Sequence, residues 1–392
     1  MNGKSHPKSP SRRLFVREQQ ERAKLRSTNI VKVGSAYAQA ESRLMRLPPE
    51  LRSHIFTFLF SSTRFTSGKK TGPNWEMQYF TPAPHGLAIL LCCRQAYVEV
   101  GKSWVGQVLF CFEDVRAMVD KLADIPLEIR SMIRHIRVSG RFTFIDRGNS
   151  SRRYYIYQFL KLLPGLKLDR LTVCGSDWAQ ESYDILTQLV KYSDGWKELH
   201  YKAHNSQLIA YKPVELEGVD MARYLREPQP GGWQRVFEGR DGLDSGASVT
   251  IYRSKIPYLD AIEPFISTKG PWVKFTQALA PDQSIDDYQQ EEDAVLMAYG
   301  EVRKEMLVVV QRGRGVDYEE KQGSPYLKAG DIRADFPGMT WVEIKTSGER
   351  IRHDGIYNYM LSKEKRVDVV DDYTHVDDYV WPCGYKSEWI TV

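Results

Sequence analysis

Four side chains near the carboxyl end have the types and spacing for metal-assisted phosphodiester chemistry. Asp331 or Asp335 precedes Glu343 and Lys345, the last two in "WVEIK". Two carboxylates can hold a Mg²⁺ ion while an ammonium neutralises the charge developing on a phosphate. That metal-dependent nuclease arrangement requires Glu343 and Lys345 on one face of a strand, where side chains two apart point the same way. The local sequence predicts a helix instead. Thr340-x-x-Glu343 after Pro-Gly is a capping-box pattern, and helical residues two apart do not face each other. The segment is also net acidic, a poor match for a phosphate backbone.

Other chemical candidates are weaker. His200 and His204, in "HYKAH", have the spacing of a helical metal pair. Their segment reads as a strand, and no adjacent Cys or acid completes a ligand set. "GNSSRRYYIYQF" mixes Arg with Tyr154, Tyr155 and Tyr157 as a single-strand nucleic-acid surface does, but the tyrosines run into a helical pattern and are expected to pack. "RGRG" at 312–315 reads as a turn. The chain has no G-x-S-x-G, P-loop or G-x-G-x-x-G motif. No catalytic residue, metal or cofactor is assigned, and a non-enzymatic protein is expected.

The elements that would carry a function of any kind can be read from periodicity. "RLPPELRSHIFTFL" opens a helix over 44–60. Pro48 and Pro49 suit a first turn, where a missing N–H is tolerated, and Glu50 faces the positive end of the helix dipole. Leu51, Ile55 and Leu59 recur every four residues with Phe58 beside them, giving one apolar face. Residues 61–85 read mostly as loop, with room for a short pair of strands in "NWEMQYFT". A helix over 86–105 follows, with Leu87, Leu90, Leu91, Val98 and Trp104 along one broad face. Next come a short strand in "GQVLFCFED", an amphipathic helix in "EDVRAMVDKLADI", and a helical turn passing into a strand at 134–139.

Beyond 140, helix and strand patterns alternate, with strands beginning near 134, 170 and 197. That spacing predicts right-handed β-α units and a parallel sheet, arranged as irregular leucine-rich units or as a small layered domain. "SVTIYRS" and "MLVVVQ" are two further strands. The expected fold class is α/β, with an N-terminal helical module packed on or linked to a mixed α/β layered domain. The expected segments are a basic tail (1–40), the helical module (41–140), an α/β domain (141–281) and an acidic α+β region (282–392), the last separate from or part of the domain before it.

Charge is polarised along the 392 residues. Residues 1–32 hold nine Lys/Arg against two acids, and residues 282–392 hold 14 against 23. The net charge of +5 therefore does not describe a uniformly basic surface, and a nucleic-acid partner is not expected. The longest apolar run, "GLAILLCC", is too short to span a bilayer. The N-terminal stretch has no apolar leader core. Five scattered cysteines without a C-x-x-C pair read as reduced, buried thiols. A cytoplasmic or nuclear location is expected.

Four pieces in order, "LPPELRSHIFTFL", "LLCCRQAYVEV", "LFCFED" and "LEIRSMIRHIRVSG", resemble the F-box-like N-terminal region of a family of fungal proteins. The resemblance covers residues 46–139. It implies docking of apolar helix faces to the Skp adaptor of a cullin ubiquitin ligase, a helix-in-groove mode. The matching positions are Leu47, Pro48, Leu51, Ile55 and Leu59. It also implies that the remainder of the chain recognises a substrate protein. Alternatively, the same leucines form the internal core of a structural protein. Exposure of Leu51, Ile55 and Leu59 separates the two, because an adaptor needs an apolar patch in solvent.

Overall fold

The computed structural model describes residues 42–71, 76–92, 94–147, 150–176, 179–209, 227–257, 272–278, 294–328, 330–347, 350–353, 366–371, 373 and 375–379. The basic tail, the acid-rich turn over 282–293, Cys93 and Cys383 lie outside them.

Alternation of apolar and polar residues sets the architecture. In strand β4 (His135–Ser139), β7 (Leu168–Cys174) and β8 (Trp196–Ala203), Ile136, Val138, Leu171, Val173, Leu199 and Tyr201 point one way. His135, Arg137, Thr172, His200 and Lys202 occupy the alternate positions and point the other way. Most parallel strands are apolar on both faces because helices cover both. This half-and-half pattern fits a sheet covered by helices on one side only.

The structure has that arrangement. β1 (Arg64–Thr71), β3 (Leu109–Phe112), β4, β7 and β8 lie side by side, parallel and in chain order. Right-handed crossovers between strands taken in order return each helix to the same face. Accordingly Val115, Met118, Val119 and Leu122 of helix α4 (Val115–Leu122) join the inward strand residues in one apolar cluster. Ile156 and Phe159 of α6 (Ile156–Phe159) and Ile185, Leu186 and Leu189 of α7 (Ala179–Tyr192) belong to the same cluster. The expected strand starts near 134, 170 and 197 fall at 135, 168 and 196.

Antiparallel strands extend this core. β11 (Lys304–Gln311) pairs with β8 and with β9 (Ser248–Pro257), and β10 (Trp272–Phe275) closes that edge. On the other side β2 (Met77–Thr81) pairs antiparallel with β1, and β13 (Arg366–Val370) lies parallel to β2. The result is a ten-stranded mixed sheet, so the α/β class holds. β5 (Thr143–Arg147), β6 (Ser150–Tyr154) and β12 (Arg350–His353) form a separate three-stranded sheet.

One expectation is corrected. The 61–85 stretch is a hairpin, β1–β2, rather than mostly loop. "RFTSGKKT" has little apolar alternation, yet its backbone pairs with β3 on one side and β2 on the other, and those ladders override its weak propensity. Backbone pairing runs across all three expected segments. The large sheet draws β1–β4 from residues 41–140, β7–β10 from 141–281, and β11 and β13 from 282–392. The 41–140 segment thus contributes four strands to that sheet beside its helices, the third and fourth of them where the sequence predicts strands.

Candidate partner interface

Helix α1 (Pro49–Ser61) begins five residues later than the expected start at 44, with Pro49 and Glu50 in its first turn and Pro48, in extended conformation, just outside it. Its inner face is Arg52, Phe56 and Phe60, spaced by four and all buried. The two phenylalanines enter a small apolar cluster with Leu90, Ala96, Val100 and Val108, distinct from the main core. Leu90 comes from α2 (Ala88–Cys92), and Ala96 and Val100 from α3 (Arg94–Val100).

An ion pair fixes α1 against α3. Arg52 Nε donates to Glu99 Oε2 at 2.9 Å and Nη2 to Oε1 at 2.6 Å. This two-pronged geometry is specific to a guanidinium on a carboxylate. The remaining nitrogen donates to the carbonyls of Met45, at 3.1 Å, and Leu47, tying down the chain that enters the helix. The hydrogen bond from Arg52 holds the Glu99 carboxyl below the ordinary carboxylate range, and Glu99 holds Arg52 above its own.

With that face occupied, the adjacent apolar stripe stays in solvent. Leu51 is 50% exposed, Ile55 42%, Leu59 37% and Phe58 76%. Pro48 is exposed and Leu47 half-buried. All five positions that the F-box-like pattern singles out are thus at least partly accessible. On the neighbouring helices Leu91 is 88% exposed, and Tyr97 and Val98 are exposed as well. The broad face expected for 86–105 therefore divides: Leu90 goes to the core, Leu87 and Trp104 pack at its margin, and Leu91 and Val98 point outward. The cause is that α2 and α3 are two short helices, so one helical period does not run through both. Tyr97 is the tyrosine of "LLCCRQAYVEV", one of the four pieces that carry the F-box-like resemblance.

The metal-type constellation is not assembled. Residues 341–346 form a helix, α12 (Trp341–Thr346), opened by the expected capping box between Thr340 and Glu343. Glu343 Oε2 accepts from the Thr340 backbone N–H at 2.7 Å, which lowers the carboxyl's pKa. Lys345 Nζ instead donates to Asp120 Oδ1 at 2.7 Å, sharing it with Trp341 Nε1. Asp335 accepts from Arg152 at 2.6 Å and from the Tyr154 hydroxyl at 2.8 Å. Asp331 caps the short helix α11 (Ile332–Asp335). Each residue thus serves a different neighbour.

His200 lies on β8 and bonds to Glu198 on the same strand face. His204 lies beyond the strand end. Among the described residues no group of three His, Cys, Asp or Glu side chains could hold a metal. Tyr154 and Tyr157 are buried and Tyr155 half-buried, as packing requires. Arg312 is buried between Asp194 and Asp241, at 3.0 and 2.9 Å, rather than offered to a nucleic acid. Cys111 and Cys174 are buried thiols outside any disulfide; Cys92 is exposed, contrary to the expectation that all are buried.

No helix among the described residues is long and apolar enough to cross a membrane. No family model, no curated protein and no solved structure matches the chain.

Proposed function

We propose that this chain is a non-enzymatic interaction protein of F-box type, a substrate adaptor for a cullin ubiquitin ligase located in the cytoplasm or nucleus. One observation carries the reading. α1 is anchored from behind by Phe56 and Phe60 while Leu51, Ile55, Phe58 and Leu59 remain in water.

Complete burial of a leucine or isoleucine contributes roughly 1.5–3 kcal/mol. Leu51 and Ile55 are half covered already, so each has about half of that left to gain from a partner. A few such anchors suffice when they are held rigidly. The Arg52–Glu99 pair supplies the rigidity by fixing the helix in the absence of a partner. The adaptor that would cover the stripe is Skp. The sheet-bearing remainder of the chain then serves to hold a substrate protein.

The rival readings need a different geometry. A nuclease requires Glu343 and Lys345 on one strand face with Asp335 beside them. An internal-core role for the leucines requires them to be covered by this chain.

The test is a pull-down with purified Skp adaptor, comparing wild type with Leu51→Asp. Wild type is expected to be retained. The variant is expected to be lost at least tenfold while its unfolding midpoint stays unchanged, since the new carboxylate remains in solvent. No retention of wild type refutes the ubiquitin-ligase assignment.

A further inference from the structure

The chain carries the triplet Asp-Asp-Tyr three times, at 286–288, 371–373 and 377–379, the last two six residues apart. The tyrosines of these last two meet two different arginines that rise from the polar face of the sheet. The Arg64 guanidinium of β1 lies 4.1 Å from the Tyr373 ring centre, and that of Arg137 on β4 lies 5.1 Å from the Tyr379 ring centre. Both arginines are buried. Carboxylate and main-chain contacts accompany the rings. Arg64 Nε donates to Asp371 Oδ2 at 2.7 Å, with Nη2 on Oδ1 at 2.5 Å. Arg64 Nη1 donates to the Asp378 carbonyl, and Arg137 Nη2 donates to the same carbonyl at 2.9 Å. The Tyr373 hydroxyl accepts from the Arg64 N–H at 2.8 Å and donates to the Ser62 carbonyl at 3.1 Å. Lys70 lies 5.2 Å from the Tyr379 ring.

These contacts have the character of peptide recognition. Two guanidiniums each take one aromatic ring of an acidic segment, and they read its backbone carbonyls as well as a carboxylate. The segment reaches them from β13, the edge strand that ends the sheet. Among the described residues the acid paired with Arg64 belongs to the segment, not to the sheet. We infer that the Arg64–Arg137 face is a receptor for an acidic, tyrosine-bearing peptide of a partner protein, and that the chain's own Asp-Asp-Tyr repeat occupies it in cis. The inference stands apart from whatever covers α1, and its test contains no Skp.

The probe is a fluorescein-labelled nonapeptide of sequence DDYTHVDDY, followed by anisotropy with the full chain. The double variant Asp371→Asn, Tyr373→Leu loosens the internal segment and is expected to bind the probe at least tenfold more tightly than wild type. Adding Arg64→Gln is expected to abolish that gain, as is a probe with both tyrosines changed to alanine. A folded double variant with no gain overturns the inference. So does a variant that dimerises without taking up probe, which assigns the face to a second copy. Should the variant fail to fold, hydrogen exchange on wild type decides. Excess unlabelled peptide is expected to speed exchange at Asp371 and Asp378, whose N–H groups bond Thr81 and His375. Unchanged exchange overturns the inference.

Discussion

Replacing Phe58 and Phe60 separately by alanine tests the assignment of faces on α1. Phe60 is fully buried in the cluster shared by the first three helices, whereas Phe58, two residues earlier on the same helix, is mostly in water. Truncating a buried phenylalanine costs about 3–5 kcal/mol from lost transfer energy and the cavity left behind. An exposed one away from special features costs no more than about 0.5 kcal/mol. The helical cluster is small and separate from the main core, so Phe60→Ala should loosen the helices first. Urea unfolding followed by circular dichroism gives the stabilities, and limited proteolysis reports whether α1 frays before the sheet. Partner capture should respond in the opposite sense, with Phe58→Ala losing binding at nearly native stability. Equal destabilisation by the two substitutions would show that no solvent face exists, and the adaptor proposal would fall with it.

Three further outcomes follow from individual ionisable groups. Lys161 and Glu320 pair at 3.1 Å with both side chains excluded from solvent. Lys161→Met should therefore cost about 3–5 kcal/mol in urea, and adding Glu320→Leu should restore most of it; a small cost for the single variant would refute the pairing. Glu198 accepts from His200 and Gln311, and the bond from His200 holds its carboxyl near about 2, far below its ordinary value. A depressed carboxyl stabilises the fold above its unfolded pKa of about 4.3, and that contribution fades as pH falls toward the folded value. Glu198→Gln should accordingly be less stable at neutral pH and lose less stability than wild type between about pH 5 and 3; parallel pH profiles would contradict this. Finally, burial pushes the Cys174 thiol up to about 12, and Cys111 is buried beside Arg137, whereas Cys92 is exposed. Native-state alkylation read by peptide mass should mark Cys92 and spare the other two, since thiolate and access set the rate. Labelling of Cys174 at the rate of Cys92 would contradict the fold.

Local patterns were legible wherever a segment carried its own period. The strands at 135–139, 168–174 and 196–203, the helices between them and the Thr340–Glu343 cap all follow from side-chain alternation or capping chemistry. The hairpin β1–β2 was not legible. Its polar residues become strand only because β3, nearly forty residues on, offers a ladder. Likewise the pairing of β13 with β2, nearly three hundred residues apart, has no local signature. For the candidate interface, the stripe Leu51, Ile55 and Leu59 could be listed from spacing alone. That this stripe faces water, while Phe56 and Phe60 take the core, depends on where α3 places Glu99 for Arg52, and no local pattern encodes that.

The parallel ladder between β13 and β2 has a bearing on synthesis. Val369 pairs with Phe80, so one border of the sheet waits until residues nearly three hundred positions further along have left the ribosome. Until then β2 presents a naked row of amides and carbonyls, open to pairing with a neighbouring nascent chain. A chain stopped short of residue 366 would keep that border bare for good, and self-association should mark such truncated products.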